Sequence, residues 1–304
     1  MTDRATSSWS VPFVLGAVLC LAAWLGGDPG NGSLAPAAMA QGFSLSGGDS
    51  DAPIAIEAEQ GVEWQREKQV YIARGNARAS RGDVTVYADS LTAHYRSDPG
   101  GGTEIWRLEA NGKVRITSPT ETAYGDKGIY DVDGGVLVLT GRTVRLETPT
   151  DEITARQNLE YWEAQRMAVA RGEAVAVRED RRLRADVLVA HFREGEGGDL
   201  EMDRLEAFRD VHISTPAEIL RADYGNYDIE SGIATLTGSV KITRCDTQFN
   251  GEYAEMNLNT GVSRLLSGPG MEGGQPVQGL FLLQDQSEVA AEGKPAGCEG
   301  QPAG

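Results

Sequence analysis

One block of this chain is written twice. Residues 56–141 align without a gap on residues 153–238 at an offset of 97, and 36 of the 86 aligned positions are identical. The clearest stretch is Ala88-Asp-x-Leu-x-Ala-His94-Tyr-Arg96, repeated as Ala185-Asp-x-Leu-x-Ala-His191-Phe-Arg193. A finer unit runs inside each copy. Glycines that close an apolar run recur at Gly75, Gly112, Gly141, Gly172, Gly238 and Gly268, with Asp210 in the slot after Gly172. The spacing is about 30 residues once the Gly-rich inserts at 97–103 and 194–199 are set aside, a period of stacked arrays whose single units cannot bury their own apolar faces. Catalytic roles differ from one another, so a chain that repeats itself argues for a surface, a groove or a spacer.

Within the units the periodicity is two. Val84/Val86, Val114/Ile116, Val144/Leu146, Val175/Val177, Val211/Ile213 and Val240/Ile242 are each separated by one more polar residue, which puts apolar side chains on one face of a strand. Turn signals such as Asn111-Gly112, Asp133-Gly134-Gly135 and Ser231-Gly232 lie between them. Segment 157–166 has some helical character, but its repeat partner 60–69 reads as strand and turn. The fold class is all-β.

An apolar run from Val11 to Leu25, preceded by Arg4, leads through a Gly/Pro-rich stretch to Ala38-Met39-Ala40, a small-x-small cleavage site. Fifteen residues are short for a bilayer span, which needs about 20. Residues 1–40 therefore read as a signal peptide cleaved after Ala40, with an uncleaved inner-membrane anchor as the alternative. Cys20 follows Leu19, where a lipidated cysteine wants a small residue.

Removing 1–40 leaves 27 basic and 43 acidic residues. Such a surface argues against nucleic acid, which selects basic proteins. Cys245 and Cys298 remain, free to pair or not in an oxidising compartment. No Cys/His cluster suggests zinc. His94 and His191 occupy one repeat position and read as structural, and His212 faces outward by alternation. An acidic column, Glu59, Asp89, Asp126, Asp186, Asp223 and Glu252 with Gln157 in its gap, is too sparse for calcium. It reads instead as corner residues that hydrogen-bond backbone amides. The residues alone assign no catalytic, cofactor or metal site.

Pro53-Ile54-Ala55-Ile56-Glu57-Ala58-Glu59-Gln60 opens the repeats, followed by Arg74-Gly75-Asn76 and Gly82-Asp83-Val84-Thr85-Val86-Tyr87-Ala88-Asp89. Leu236-Thr237-Gly238-Ser239-Val240-Lys241, then Asn250-Gly251-Glu252-Tyr253, then Asn259-Thr260-Gly261 close them. In this order the motifs resemble the OstA/LptA family of periplasmic lipopolysaccharide-transport proteins over about residues 53–267. The resemblance implies a folded-over antiparallel jelly-roll or solenoid-like trough, here built from two tandem copies. The expected organisation is a signal peptide at 1–40, a linker at 41–53, OstA-like blocks at 54–150 and 151–268, and a flexible tail at 269–304. Seven or eight strands per sheet would make a trough about 35 Å long.

The resemblance further implies a periplasmic, non-enzymatic carrier of lipopolysaccharide, with lipid A acyl chains in an apolar groove. The groove candidates are Val86, Val114, Ile116, Val144, Val211, Ile213 and Val240. Ile54 and Ile56 in the first strand, and Met256 and Leu258 in the last, are the expected free edges for strand addition. Partners there would be jelly-roll domains of inner- and outer-membrane transport components, or further copies of the chain head to tail. Alternative readings are a domain-like partner of the outer-membrane translocon and a β-helical polysaccharide-active enzyme. No barrel strands follow residue 268 to support the former, and no cluster of closely spaced acids supports the latter.

Overall fold

A computed structural model describes residues 54–97, 102–195, 200–216, 218–244, 247–260, 262–267 and 276–281. The segment 1–40, the linker, Cys245 and Cys298 lie outside the described residues.

The first copy begins with the short strands β1 (Ala55–Glu57) and β2 (Val62–Gln65). Four long strands follow: β3 (Val70–Arg81), β4 (Val84–Ser97), β5 (Thr103–Thr117) and β6 (Thr122–Asp131). It closes with β7 (Val136–Thr140) and β8 (Val144–Glu147). The second copy repeats this pattern: β9 (Glu152–Ala155), β10 (Asn158–Trp162), β11 (Met167–Arg178), β12 (Arg181–Glu194), β13 (Leu200–Ser214) and β14 (Ile219–Asp228). Then come β15 (Ile233–Arg244), β16 (Thr247–Asn257), β17 (Val262–Leu266) and β18 (Gln278–Phe281). The long strands β3 to β6 reappear as β11 to β14 with both bounds moved by 97 residues.

All eighteen described strands join one antiparallel sheet. Ten are continuous and eight combine in pairs (β1 with β2, β7 with β8, β9 with β10, β17 with β18), so the chain stacks as fourteen rungs. At about 4.8 Å per step the stack is roughly 60 Å long. The expected 35 Å trough is thus too short. Each rung crosses both walls, so the strands are not divided between two sheets.

Each rung bends at one column. The ladder skips between Arg74 and Ala77, Asn111 and Val114, Phe208 and Val211, and Thr237 and Val240. At those skips two successive residues take positive φ, such as Gly112 (79°) with Lys113 (48°) and Gly238 (78°) with Ser239 (48°). A Cβ on Gly112 would lie 2.3 Å from an oxygen of Asp89, so glycine is required there by space as well as by φ. In the second copy the equivalent pair is Arg209 (59°) and Asp210 (47°), without glycine. The skip re-phases the side chains, so Val84, Val86 and Ala88 before the corner and Ala93 and Tyr95 after it all face inward.

The acidic column sits at this corner, and its partners differ from the expected ones. Asp126 does accept a backbone N–H, from Arg142 at 2.9 Å. Glu59 instead accepts from the Asn76 side chain at 3.0 Å, Asp89 from Lys113 at 3.2 Å and Asp186 from Arg209 at 2.9 Å. These donors belong to the left-handed residues that the bend itself throws outward.

The corner divides each rung into a short limb, carrying the Val/Ile pairs, and a long limb, carrying Leu91–Tyr95 and Leu108–Ala110. The inward faces of the two limbs form one hydrophobic cluster that runs from Val84 to Met256 through both copies. The block boundary at 150/151 falls in the turn between β8 and β9. The ladder continues across it through the β7–β10 and β8–β9 pairings.

Two expectations about the far end are corrected. Strand β16 is not an edge, because β15 pairs with one side of it and β17 and β18 with the other. Met256 is accordingly buried and Leu258 half-buried. Within the stretch expected as a loose tail, Gln278–Phe281 returns to pair with Thr247–Asn250. Its two apolar residues, Leu280 and Phe281, are adjacent and carry no strand alternation, so the Gly-rich sequence around it gives no signal of pairing.

Candidate functional site

Between the limbs, near the middle of the stack, lies an apolar cavity of about 80 Å³. The short limb contributes Ile116, Ala123, Leu146 and Ile153, and the long limb faces them with Leu137, Leu159, Tyr161 and Leu205. Glu160 alone among the lining residues is charged, and it is held outward by Arg171 at 2.7 Å and Trp162 at 2.9 Å. An empty space this large and this apolar does not attract ordered water, which wants two to four polar partners. Alanines at 168, 170 and 190 leave the room that leucines would fill.

All seven sequence-derived groove residues face inward. Val86 is 7% exposed, Val114, Ile116, Val211 and Ile213 are each 2%, Val240 is 1% and Val144 is 0%. They form two adjacent rows on the short limb, yet only Ile116 reaches the cavity. The opposing wall was missed. Its signal is present as the alternations Leu91/Ala93/Tyr95, Leu137/Leu139 and Leu159/Tyr161, but alanine and tyrosine make it weaker than a Val/Ile pair.

The hairpin tips at the short-limb rim carry a further motif that the pattern analysis overlooked. Ser118-Pro119-Thr120-Glu121, Thr148-Pro149-Thr150-Asp151 and Thr215-Pro216-Ala217-Glu218 are three versions of one turn. In each, the hydroxyl of the first residue accepts the backbone N–H of the acid, at 3.2, 2.9 and 3.1 Å respectively. Glu121 is buried and its Oε2 has no hydrogen-bond partner among the described residues. Burial pushes its carboxyl well above the usual carboxylate range, and pushes Glu218 up in the same way. Burial pushes Asp151 up as well, opposed in part by Thr150, which donates at 2.6 Å, and by Arg178, which clamps both its oxygens.

His94 and His191 make structural contacts on the outer face. His94 Nε2 lies 3.4 Å from Glu109, and His191 Nε2 lies 2.7 Å from Glu206, its repeat equivalent. Burial works against ionisation of Glu206, but hydrogen bonds from Tyr224 and His191 hold its carboxyl below the usual value. The same bond, after burial, pushes the Tyr224 hydroxyl up to about 12. Among the described residues no cluster of His, Cys, Asp and Glu could hold a metal ion. No described helix is long and apolar enough to cross a membrane.

The two ends of the stack are unlike its sides. Every large apolar residue exposed among the described ones lies at an end: Ile54, Ile56, Val62 and Trp64 at one, Val262, Leu266, Val277 and Leu280 at the other. β1 and β2 pair only with β3, and β17 and β18 only with β16, so each end rung presents unpaired backbone groups. Trp64 is the best anchored of these side chains, donating to Tyr95 at 2.6 Å and lying beneath Arg66.

A sequence model of the family described as "LptA/(LptD N-terminal domain) LPS transport protein" matches this chain twice, over residues 55–157 and 152–262. An uncharacterized protein of Rhizobium meliloti (strain 1021) is 32% identical over 110 residues, covering 35% of this chain and 57% of the relative. The aligned part thus spans just over half that relative's length. Among solved structures the chain is similar to LptH, the LptA-homologous periplasmic component of the lipopolysaccharide transport device of Pseudomonas aeruginosa. That match has 10% identity over 77% of this chain and 99% of the other, with a TM-score of 0.20. The two family matches together cover more than half the chain, one per copy, and the chain belongs to the LptA/(LptD N-terminal domain) family of LPS transport proteins.

Proposed function

We propose that this protein is a periplasmic carrier, not an enzyme, that holds the acyl chains of lipopolysaccharide between its limbs and bridges the inner and outer membranes. The observation that carries the reading is the distribution of apolar surface. Among the described residues it is found inside, around an apolar cavity, and at the two free edges, and the flanks of the stack expose no large apolar side chain. An interior packed by dispersion alone can open for acyl chains without breaking a polar network. An edge with unpaired N–H and C=O groups adds a partner strand with little side-chain code.

The groove residues Val86, Val114, Ile116, Val144, Val211, Ile213 and Val240 are proposed as one lipid-facing wall, with Leu137, Leu159 and Tyr161 as the other. The proposed assembly surfaces are Ile54, Ile56 and Trp64 at one end and Val262, Leu266 and Leu280 at the other. These would receive jelly-roll domains of membrane-bound transport components, or another copy of the chain. The first forty residues would deliver the chain to the periplasm.

Photoreactive side chains placed one at a time test this in cells. Positions 116, 159 and 161 should crosslink to lipopolysaccharide, and positions 145 and 154 on the outer face should not. Positions 56 and 264 should crosslink to protein. Equal lipid labelling inside and outside would sink the carrier reading even with the fold intact.

A further inference from the structure

The outer face of the short limb carries a row that the apolar interior does not explain. Cross-strand pairing runs from Arg78 through Tyr87, Arg115, Tyr124, Arg145, Thr154, Val175, Arg184, His212 and Arg221 to Lys241. In a chain of net charge −17, no acidic residue interrupts it.

The two copies fill the row differently. In the first, Arg115 stacks on Tyr87 at 4.1 Å and Arg145 on Tyr124 at 4.5 Å, and Arg145 also pairs with Glu147 at 3.0 Å, so each cation has a partner. In the second, both tyrosine positions have become arginine, Arg184 and Arg221, on either side of His212. Lys241 follows on the next strand, and Arg182 lies two residues before Arg184 on the same face. Thr85 is the first copy's equivalent of Arg182.

Five basic side chains therefore converge where the first copy has two. Asp210 is the one carboxylate in an ion pair there, bonded to Arg184. Arg182, Arg221 and Lys241 have no ion pair among the described residues, although most arginines of this acidic chain have one. His212 Nε2 is buried and has no hydrogen-bond partner among the described residues. Desolvation, and then Arg221, Arg184 and Arg182, hold the imidazole below its ordinary value, with Asp210 pulling the other way. Like charges directly across a sheet repel, so the row destabilises the empty protein unless an anion joins it.

We propose that Arg182, Arg184, His212, Arg221 and Lys241 form a binding site for the phosphate group of a phosphorylated saccharide. A carboxylate offers two oxygens in one plane, whereas a phosphate ester offers three around a tetrahedron. It can thus accept from Arg184 and Arg221 together, with the His212 ring between them and Lys241 as a point charge beside them. The hydroxyls of Ser214 and Thr243 stand in the next outer row, on strands that carry His212 and Lys241, within reach of sugar hydroxyls. A bilayer surface fits less well. The patch spans only three strand steps, about 14 Å, which is small against a bilayer surface. The remaining surface of the acidic chain would also be repelled by an extended anionic surface.

The site is on the outside and the probe carries no acyl chain, so the result is independent of what the interior holds. Glucose 6-phosphate is titrated into the exported full chain, following heat of binding and the His212 ring by NMR. Saturable binding is expected, with the His212 pKa rising as the anion settles beside the ring. Arg221→Gln and Arg184→Gln should each weaken it about tenfold, and Arg115→Gln in the first copy should change it by less than about twofold. Far-UV spectra of each variant confirm that the stack is kept. Absence of saturation overturns the proposal, as does equal weakening by Arg115→Gln, which would mean diffuse charge. Inorganic phosphate binding as tightly as the sugar phosphate would leave a site for the free ion only and overturn the saccharide. Phosphatidylglycerol vesicles binding through the same arginines, with glucose 6-phosphate unable to compete, would assign the patch to a membrane and equally overturn it.

Discussion

Ile56 and Ile153 are the same residue at the same position of the repeat, yet Ile56 is 41% exposed and Ile153 is 3% exposed. Trp64 and its equivalent Tyr161 differ just as widely, at 51% and 6%. The first of each pair lies on the rung formed by β1 and β2, which has a neighbour on one side. The second lies on the rung of β9 and β10, held between β7/β8 and β11. Burial in this architecture comes from the next rung in the stack. An end rung has the sequence of an interior rung and lacks the neighbour, which is a physical definition of a docking surface. The copies differ at one more place. Asp151, buried under Arg178 in the second, occupies the position of exposed Ile54 in the first. The polar pair appears where the rung is internal and the apolar residue where it is free.

The comparison breaks most plainly by charging both isoleucines. Ile153→Asp places an unpaired carboxylate in the core and should destabilise the protein by about 3–5 kcal/mol in urea unfolding. Ile56→Asp should change stability by less than about 0.5 kcal/mol and abolish end-to-end association seen by light scattering. If the two variants lose stability equally, the first rung is already covered and the distinction fails. Next in size is Arg178→Ala, which strands Asp151 in the core and should cost about 3 kcal/mol by the same measurement. Arg81→Ala, at the repeat-equivalent position, should cost much less.

Glu121 sharpens the same contrast through pH. Its folded pKa is raised by burial, so the folded state holds a proton that the unfolded chain has released, and stability falls as pH rises above the ordinary carboxylate range. Glu121→Gln should therefore raise the melting temperature at neutral pH and give no gain in acid, below the unfolded pKa. A uniform shift at every pH would show that the carboxyl is not the cause. Glu206 has the opposite sign. Its folded pKa is depressed, so its contribution is present above the unfolded carboxylate value and lost as pH falls through the folded one. Glu206→Gln should cost about 1 kcal/mol at neutral pH, with little effect in acid, and is the smallest effect of the set.

Much of this was legible in the residues. The duplication, the alternation and the glycine spacing dictate antiparallel rungs that repeat every 97 residues in pairs of blocks, and the strand bounds obey that offset. The Val/Ile pairs other than Val175/Val177 point inward because a strand has only two faces and the polar residues between them take the other; at that pair Ala174 and Ala176 take the interior and the valines face out. The outward position of His212 follows by the same rule. What alternation cannot supply is the partner across the interior. Leu137, Leu159 and Tyr161 meet Ile116 and Ile153 only because the stack folds at the corner column, where left-handed pairs sit on alternate long strands, and no local pattern encodes which limb faces which. Nor could local pattern show that β18 returns to cover β16, since four residues after a Gly-rich stretch pair wherever an open ladder accepts them. The basic row of the second copy is likewise spread over 60 residues of sequence, from Arg182 to Lys241. Cross-strand register brings its members into adjacent strands, and register is a property of the assembled sheet. Sequence determined the period and the faces, because these depend on neighbours along the chain. The tertiary structure decided the cavity, the ends and the charged patch, because these depend on neighbours across it.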